Sequence, residues 1–375
     1  MALFFPKNAG LVETLLKRQP LIGAFAMACL LFLQGCIGVG YYAKSLGGHI
    51  GVLNARESVE ELRRNADTPA PLRAQMDRAA DIRQFAIDEL GLPDNASYRT
   101  YVDLDRDYVT MAVFAAPEFS GSPKTWCFPV FGCVPYRAYF DEADARTLAD
   151  ELSEQGYDVH LSGVPAYSTL GWTPDPLLST MFQFGEIYTA SVVFHELAHQ
   201  EVYIRNDTSF NEAFAVAVEI EGTKAWLRAR AGPDAVARYE NSLQRRNDFG
   251  ELVGNARASL NKIFVSNLPD EEKRAAKAAA IEQLRADYRV MRNTRWNGFS
   301  GYDNWFDEPI NNAKLALVGV YGDLVGDFRH LFVVCGSDFE RLYGAVAALG
   351  KQPKNKRRAA LKGQPELFCP ALHSP

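Results

Sequence analysis

The sequence predicts an α+β fold in which helix dominates, and three observations support that prediction. Short runs of β-branched and aromatic residues, separated by glycine, proline and aspartate, gather in the N-terminal half of the chain. Beyond Gly222, segments rich in alanine, arginine, glutamate and leucine have the apolar spacing of helices. No internal repeat and no Gly/Ser-rich linker divides the 375 residues, which can bury a sizeable core. Strands gathered in one half and helices elsewhere are typical of α+β proteins.

The N-terminal half begins, after its leader, with a charged helical pattern. Three short strands follow, then a helix, a fourth strand and a loop that contains Gly171 and two prolines. Aromatic and polar residues of this loop can line a cleft or can simply connect two elements, and the sequence leaves both interpretations open. The predicted helices cover residues 58–90 and 141–155, the strands cover 98–102, 108–115, 136–140 and 157–161, and the loop covers 167–180.

The most informative segment is a predicted helix that contains an H-E-x-x-H arrangement. Apolar side chains surround it and no proline or glycine occurs from Thr189 to Tyr203, which favours a buried helix. His195 and His199 are four residues apart and share one helical face, where two imidazoles can bind one Zn²⁺. Glu196 is then placed to act as general base on the water of a catalytic site. The segment therefore predicts one zinc ion per chain.

A catalytic zinc needs a third protein ligand, and Glu212 is the candidate. It falls in the first turn of a second helix, predicted from about Phe210 toward Trp226 after a polar stretch. Two helices joined by a short loop pack antiparallel, which can bring that turn beside the histidines. Two alternatives remain open. Ser209 and Glu212 match a capping box, and Glu219, on the same helical face, is either the ligand or an acceptor for a histidine N–H.

The C-terminal part is predicted to be largely helical. Two long helices rich in charge are expected over residues 233–264 and 270–292, with solvated faces rather than binding sites. Another apolar helix begins at Asn311 and reaches Tyr321. The basic segment 351–362 is interpreted as an exposed tail rather than a membrane-binding patch.

The first 35 residues have the features of an export signal. Basic residues precede an uncharged run from Leu21 to Tyr42, and this run contains the sequence L-Q-G-C that ends at Cys36. A small residue before Cys36, at the end of the most apolar part, favours a lipoprotein signal peptide that is removed after residue 35. The run is also long enough for a plain transmembrane helix. Both interpretations place the catalytic region outside the cytoplasm, and the first predicts a lipid on Cys36.

Cysteine usage and charge agree with an exported protein that does not bind nucleic acid. Four cysteines lie beyond Cys36, an even number that suggests two disulfides in an oxidising compartment. Cys127 and Cys133 are the predicted local pair, and no C-x-x-C spacing favours zinc binding by cysteine. The net charge of −6 argues against nucleic acid as a partner.

The zinc segment resembles part of the gluzincin aminopeptidases, a zincin-like group. Residues 211–215 read N-E-A-F-A and are followed by Glu219 and Gly222, as in the N-E-G-F-A segment of those enzymes, whose glutamate is the third zinc ligand. The resemblance therefore implies that Glu212 is that ligand. Two features differ: only twelve residues separate His199 from Glu212, and the G-x-M-E-N motif that binds a substrate's amino terminus is absent.

Over nearly its whole length the sequence is similar to a bacterial family of "putative aminopeptidase" lipoproteins. The similarity rests on W-C-F-P through C-V-P-Y-R (126–137), on Y-S-T-L-G-W through D-P-L-L-S (167–179) and on the zinc segment. It implies that residues 36–375 form a gluzincin-like metallopeptidase domain that takes peptides or proteins as substrates. It also implies a lipid anchor in the bilayer of the bacterial envelope, facing the periplasm or the exterior.

The predicted zinc site implies hydrolysis of peptide bonds, with Glu196 moving a proton from water to the leaving amine. A donor for the tetrahedral oxyanion is also needed, and Tyr302, Tyr321 and His330 are candidates among which the sequence does not choose. Two other functions stay open. One is a membrane-tethered zinc endopeptidase, and the other is a lipid-anchored scaffold whose zinc only joins two helices, with Glu219 as a fourth ligand.

Overall fold

The computed structural model describes residues 38–128, 132–169, 173–318 and 324–371. The predicted signal peptide and the predicted lipid attachment site, Cys36, lie outside these residues. Helix α1 (Val39–Asn54) belongs to the first of two compact units, which ends at Asn54. Within the described ranges, no helix combines the length and the apolar character that crossing a membrane requires.

The second unit begins at Ala55 and is dominated by helix, with small sheets in its first half. Short 3₁₀ helices cover Ser179–Phe184 and Pro365–Phe368. Its α-helices are α2 (Val59–Arg64), α3 (Ala70–Asp88), α4 (Glu142–Glu154), α5 (Glu186–Glu201), α6 (Thr208–Arg230), α7 (Pro233–Phe264), α8 (Asp270–Thr294), α9 (Asp303–Asp307), α10 (Asn312–Leu317), α11 (Val325–Val334), α12 (Phe339–Gly350) and α13 (Lys354–Gly363).

One three-stranded antiparallel sheet has the order β6-β3-β7. Its central strand β3 (Thr110–Pro117) is buried along nearly its whole length, because helices α4 and α10 pack against it. Strand β6 (Tyr136–Tyr139) forms one edge, and β7 (Tyr157–Val164) forms the other. Strand β7 matters for function because the chain leaves it directly into the segment that borders the candidate site.

Two smaller sheets complete the strand content of the described residues. Strand β2 (Thr100–Val102) pairs with β1 (Glu57–Ser58) and with β8 (Leu177–Leu178). Strands β4 (Trp126–Phe128) and β5 (Gly132–Val134) form a hairpin in which Cys127 and Cys133 lie opposite each other and are joined by a disulfide. A second disulfide joins Cys335 to Cys369 and ties the end of the chain to the end of α11.

The core that positions the candidate site is the antiparallel pair of helices α5 and α6. Phe194, Phe210 and Phe214 are fully buried in or beside this pair, and burying each such side chain stabilises the fold by roughly 1.5–3 kcal/mol. Gly222 allows the close approach, since a Cβ there would lie 2.8 Å from Leu90 Cδ1 and 3.2 Å from Phe194. A larger residue at this position would therefore force the Leu90 and Phe194 side chains, or the helix itself, to shift.

The helical pattern over residues 58–90 forms two helices rather than one. Helix α2 ends at Arg64, and α3 begins after Pro69 with a second proline, Pro71, in its first turn. Proline is well accommodated in a first turn, but it disfavours helical backbone in the residue before it. The two prolines therefore explain why the continuous helix does not form.

The interpretation of residues 351–362 as an exposed tail is wrong. Most of this segment lies in helix α13, where Leu361 is buried and Arg357 places Nη1 2.6 Å from Oδ2 of Asp207. Arg358 and Lys354 contact the other oxygen of the same carboxylate, at 3.1 and 3.3 Å. Asp207 is almost fully buried, so this cluster attaches the C-terminal region to the turn between α5 and α6.

Candidate metal centre

Helix α5 carries both histidines of the H-E-x-x-H segment on the face that meets α6. Gly185, whose φ of 85° favours glycine, occupies the N-cap position before Glu186, and the helix ends where Val202 turns to extended backbone. His195 and His199 are one turn apart, with ring centroids 4.9 Å from each other. His199 is only 4% exposed, so packing fixes its ring in place.

The turn between α5 and α6 is short because Asn211 closes it. The Asn211 side chain accepts a hydrogen bond from Ile204 N and donates one to Ile204 O, both at 2.8 Å. The capping box proposed for Ser209 is not formed: Asp207 occupies the N-cap position, and the Ser209 hydroxyl accepts from Arg358. Glu212 is therefore left free to face the histidines from the first turn of α6.

The candidate ligand atoms have the spacing that a metal ion requires. Nε2 of His195 lies 3.5 Å from Oε2 of Glu212, and Nε2 of His199 lies 3.5 Å from Oε1. One donor atom from each residue lies within 4.8 Å of the others. Tetrahedral zinc with bonds of about 2.1 Å separates its ligands by about 3.4 Å. The two nitrogens and the carboxylate therefore fit a zinc ion in chemistry and in spacing.

Glu219 lies on the other side of the His195 ring. Its Oε2 is 3.1 Å from Nδ1 of His195, and its Oε1 is 3.6 Å from Arg246. The structure thus brings Glu212, rather than Glu219, to the Nε2 atoms of both histidines. His199 has no matching acceptor in the described part of the chain, where its buried Nδ1 lacks a hydrogen-bond partner.

In the metal-free protein, the carboxylates of Glu212 and Glu219 favour the protonated form of His195. Burial would lower the pKa of the imidazole, but hydrogen bonds to Glu212 and Glu219 raise that pKa to about 10. Burial would raise the pKa of Glu212, but hydrogen bonds to the two histidines lower it to about 2. The centre is therefore an anionic site that a proton neutralises in part at neutral pH, and a cation can replace that proton.

Glu196 is partly buried beside the two histidines. Burial raises the pKa of its carboxyl group, although the histidines and a hydrogen bond with Ser168 act in the opposite direction. A carboxyl group beside the candidate ligands is of the residue type that can both accept and return a proton, as a general acid–base requires. Sequence reasoning identified Glu196 but not Ser168.

Ser168 is held by a loop that folds around Asp175. The buried Asp175 carboxylate accepts from the Ser168 hydroxyl at 2.9 Å and from the Thr169 backbone N–H at 3.0 Å. The single hydroxyl proton of Ser168 is therefore shared between Asp175 and Glu196. Asp175 therefore shapes the loop rather than lining a cleft, while Gly171 and Trp172 lie outside the described residues. No local sequence pattern indicates this role. Asp175 holds Ser168, seven positions earlier in the same loop, and that loop lies outside helix α5.

A cleft of about 740 Å³ opens onto the centre at His195 and Glu196. Helix α5 forms its floor, together with Glu219 from α6. One face of α7 forms a wall, and residues at the end of β7 and just after it also line the cleft. The lining residues from outside the metal centre include Val164, Pro165, Ala166, Phe184, Ile187, Tyr188, Ala235, Arg238, Tyr239, Ser242, Leu243, Arg246 and Tyr302.

The candidates for an oxyanion donor are only partly brought to this cleft. Tyr302 lines it, whereas His330 is exposed on α11 and does not, and Tyr321 lies outside the described residues. The structure adds Tyr188 and Tyr239, which sequence reasoning did not single out. Tyr239 hydrogen-bonds to Thr223 and Ser191, so Tyr188 and Tyr302 are the more available donors in the lining.

A family model described as "Putative aminopeptidase" matches residues 40–361. The chain belongs to this family. The matched range runs from the first turn of α1 into α13, so it contains the candidate metal centre, the loop around Asp175 and every lining residue of the cleft. Family membership points to a peptidase. No curated protein and no solved structure matches the chain.

Proposed function

We propose that this family member is a zinc-dependent peptidase with a zincin-like site, anchored in the bacterial envelope by a lipid on Cys36. The observation that carries the catalytic part is the spacing of 3.5 Å between Glu212 and each histidine Nε2 beside the partly buried Glu196. The anchor rests on the L-Q-G-C sequence at the end of the apolar leader.

His195, His199 and Glu212 would hold the zinc, one ion per chain. When bound, zinc lowers the pKa of water and polarises a carbonyl group. Glu196 accepts the proton from the attacking water and returns it to the leaving amine, so the peptide bond breaks with no net change in the base. Glu219 accepts the Nδ1 proton of His195, which keeps Nε2 unprotonated and aimed at the metal.

Among the tyrosines that line the cleft, Tyr188 and Tyr302 are the candidates that would donate a hydrogen bond to the oxyanion. Burial raises the pKa of both phenols, so each keeps its proton at neutral pH and remains a donor. The apolar sides of the cleft, formed by residues such as Phe184 and Ile187, can exclude water around an extended peptide.

Release of residues from a free amino terminus is the more specific proposal, supported by the N-E-x-F-A resemblance and by the family description. A membrane-tethered endopeptidase is the second candidate. The observation that favours it is the lining of the cleft, in which Glu196 and Glu219 already have partners and neither is free to bind an ammonium group. A purely structural zinc is less well supported, because Glu219 contacts Nδ1 of His195 rather than joining the cluster as a fourth ligand.

Mass spectrometry of the products from matched peptides tests this proposal. The zinc-loaded, full-length protein in detergent is given each peptide with a free and with an acetylated amino terminus. Loss of single residues from the free peptides alone would identify an aminopeptidase, and internal cleavage of both would identify an endopeptidase. A zinc-loaded protein that cleaves neither set would refute peptidase activity and favour a structural role for the metal.

The lipid anchor is tested separately by labelling cells with a fatty-acid probe. The wild-type chain should incorporate the label and lose its first 35 residues, while Cys36→Ser should abolish both events. A wild-type mature chain that still begins at Met1 would instead establish the transmembrane interpretation of the leader.

A further inference from the structure

The charged residues of the cleft are divided between its floor and its α7 wall. On the floor, Glu196 hydrogen-bonds with Ser168 and faces the two histidines. Glu219 accepts from His195 and also contacts Arg246. Within the described lining, both carboxylates therefore have positively charged or hydrogen-bonding partners. Neither is available to bind a cationic group of a substrate.

The α7 wall is positively charged, and its arginines have fewer ion-pair partners than the carboxylates of the floor. Arg238, Ser242 and Arg246 follow one another at intervals of four residues, so they share the face of α7 that lines the cleft. Arg238 is exposed and makes no hydrogen bond or ion pair with any described residue. Arg246 has one contact at 3.6 Å, to Glu219, and its side chain is about half exposed. A rise of 1.5 Å per residue puts their backbones about 12 Å apart along the cleft.

We propose that this wall binds a carboxylate of the peptide substrate, with Arg238 as the donor. The Ser242 hydroxyl donates to Tyr239 O at 2.6 Å and therefore takes no part in this contact. The inference rests on the proposed peptidase function and names the substrate feature that the cleft selects. The carboxylate is either the carboxyl terminus of a short peptide or the side chain of an aspartate or glutamate.

The chemistry of the wall supports this assignment. A guanidinium presents paired N–H donors that match the two oxygens of a carboxylate, so the contact is both charge-assisted and directional. Two arginines along one cleft repel an ammonium group, whereas the nearby apolar side chains Phe184 and Leu243 reduce the screening of an attraction to an anion. The charge of this wall therefore favours a carboxylate over a free amino terminus.

A set of peptides with one common sequence tests the inference. One pair differs only in a free or an amidated carboxyl terminus, and a second pair differs only in an internal aspartate or asparagine. A third pair has a free or an acetylated amino terminus. The ratio of kcat/KM within each pair is measured with the zinc-loaded, full-length protein, and the first two pairs distinguish the two sources of the carboxylate.

The wild-type protein should prefer the carboxylate member of the first or the second pair by about tenfold, the usual size of one charge-assisted hydrogen-bonded contact. Arg238→Gln should reduce that preference to near unity through a higher KM for the carboxylate peptide. Arg228→Gln is the matched control, because it removes the same charge from an exposed position in the last turn of α6, outside the cleft.

Peptide binding provides a readout that does not depend on turnover. In the Glu196→Gln protein, calorimetry should give about tenfold tighter binding of the carboxylate peptide, and adding Arg238→Gln should remove the difference. Equal binding of charged and neutral peptides would overturn the inference, as would a preference that survives Arg238→Gln. Hydrolysis of every peptide at similar rates would overturn it too, while leaving the peptidase proposal intact.

Discussion

The charged side chains on the floor of the cleft have close partners, whereas those on its α7 wall have few or none among the described residues. On the floor, His195 lies between two carboxylates and Glu196 hydrogen-bonds with Ser168, so each charged group has a fixed partner. On the wall, Arg238 has no partner among the described residues. Groups that are already oriented can act on a reacting bond without reorganising, whereas a group without a partner gains one only when a ligand binds.

This difference predicts two kinds of mutational effect. Changes on the floor should alter metal binding or the rate of the chemical step, because those groups surround the candidate metal centre. Changes on the wall should alter which peptide binds, since an interaction made equally in the ground state and the transition state appears in KM.

Replacing Glu196 by glutamine should have the largest effect on turnover. The amide keeps the size of the side chain but cannot accept the proton of water, and loss of a general base typically costs ~10²–10⁴-fold in rate. Zinc content, measured by elemental analysis, should stay at one ion per chain. Glu201→Gln, at the exposed end of the same helix, is the matched control. Equal hydrolysis by both variants would mean that the activity comes from another site or from a contaminant.

Metal binding should distinguish Glu212 from Glu219. Because Glu212 faces the Nε2 atoms of both histidines, Glu212→Ala should lose most of its zinc. Glu219→Ala removes only the acceptor for His195 Nδ1, and such a change typically weakens metal affinity by ~10–100-fold. Competition with a chromophoric chelator measures both affinities. A larger loss for Glu219→Ala would make Glu219 the ligand, and full zinc occupancy in both variants would exclude the proposed ligand set.

The pH dependence of zinc binding should follow the proton on His195. Zinc binds the neutral imidazole, but the pKa of His195 in the metal-free protein is raised to about 10. Binding below pH 10 must therefore release a proton, and affinity should rise by up to about tenfold per pH unit between pH 7 and 9. The pKa of Glu212, lowered to about 2, keeps that ligand ionised throughout. Calorimetry in buffers of different ionisation enthalpy counts the released protons, and a count near zero at pH 7.5 would contradict this assignment.

The same division between floor and wall separates what the sequence could predict from what it could not. His195, Glu196 and His199 are identified by local spacing, because one helix places all three. Helix α7 begins at Pro233 and ends at Phe264, as its sequence pattern predicts, since a glycine and a proline mark its start. Yet its charged face was expected to be solvated. That this face borders the centre depends on how α7 packs against α6, which no local pattern specifies.

Long-range polar contacts were the other features that the sequence could not predict. The basic segment 351–362 resembled a tail because its counter-charge, Asp207, lies about 150 positions earlier in the chain. The contact between Ser168 and Glu196 was likewise not predictable, because the two residues belong to different elements of the fold. In the sequence, Tyr188 and Tyr239 fit the apolar faces of their helices. Only the folded structure shows that both line the cleft. The leader and the lipid on Cys36 stay predictions from the sequence alone.

Removing the hydroxyl of Ser168 should have the smallest of these effects on the floor. The loop around Asp175 holds Ser168 against Glu196, so Ser168→Ala leaves the base in place but without this partner. Loss of one hydrogen bond to a charged group predicts a fall in kcat of about tenfold, with zinc content and KM unchanged. Ser153→Ala, which removes a hydroxyl bonded within α4, is the matched control.

The pH profile decides whether Ser168 acts on the base or only supports the loop. Its hydrogen bond lowers the pKa of Glu196, so the Ser168→Ala variant should have a higher pKa at that carboxyl. The base must be ionised to accept a proton, and the acidic limb of the kcat/KM profile should therefore move to higher pH. A uniform loss of rate without any shift of that limb would assign Ser168 a role in loop structure alone. A shift with nearly unchanged stability would assign it to the base, as the contact between the two side chains predicts.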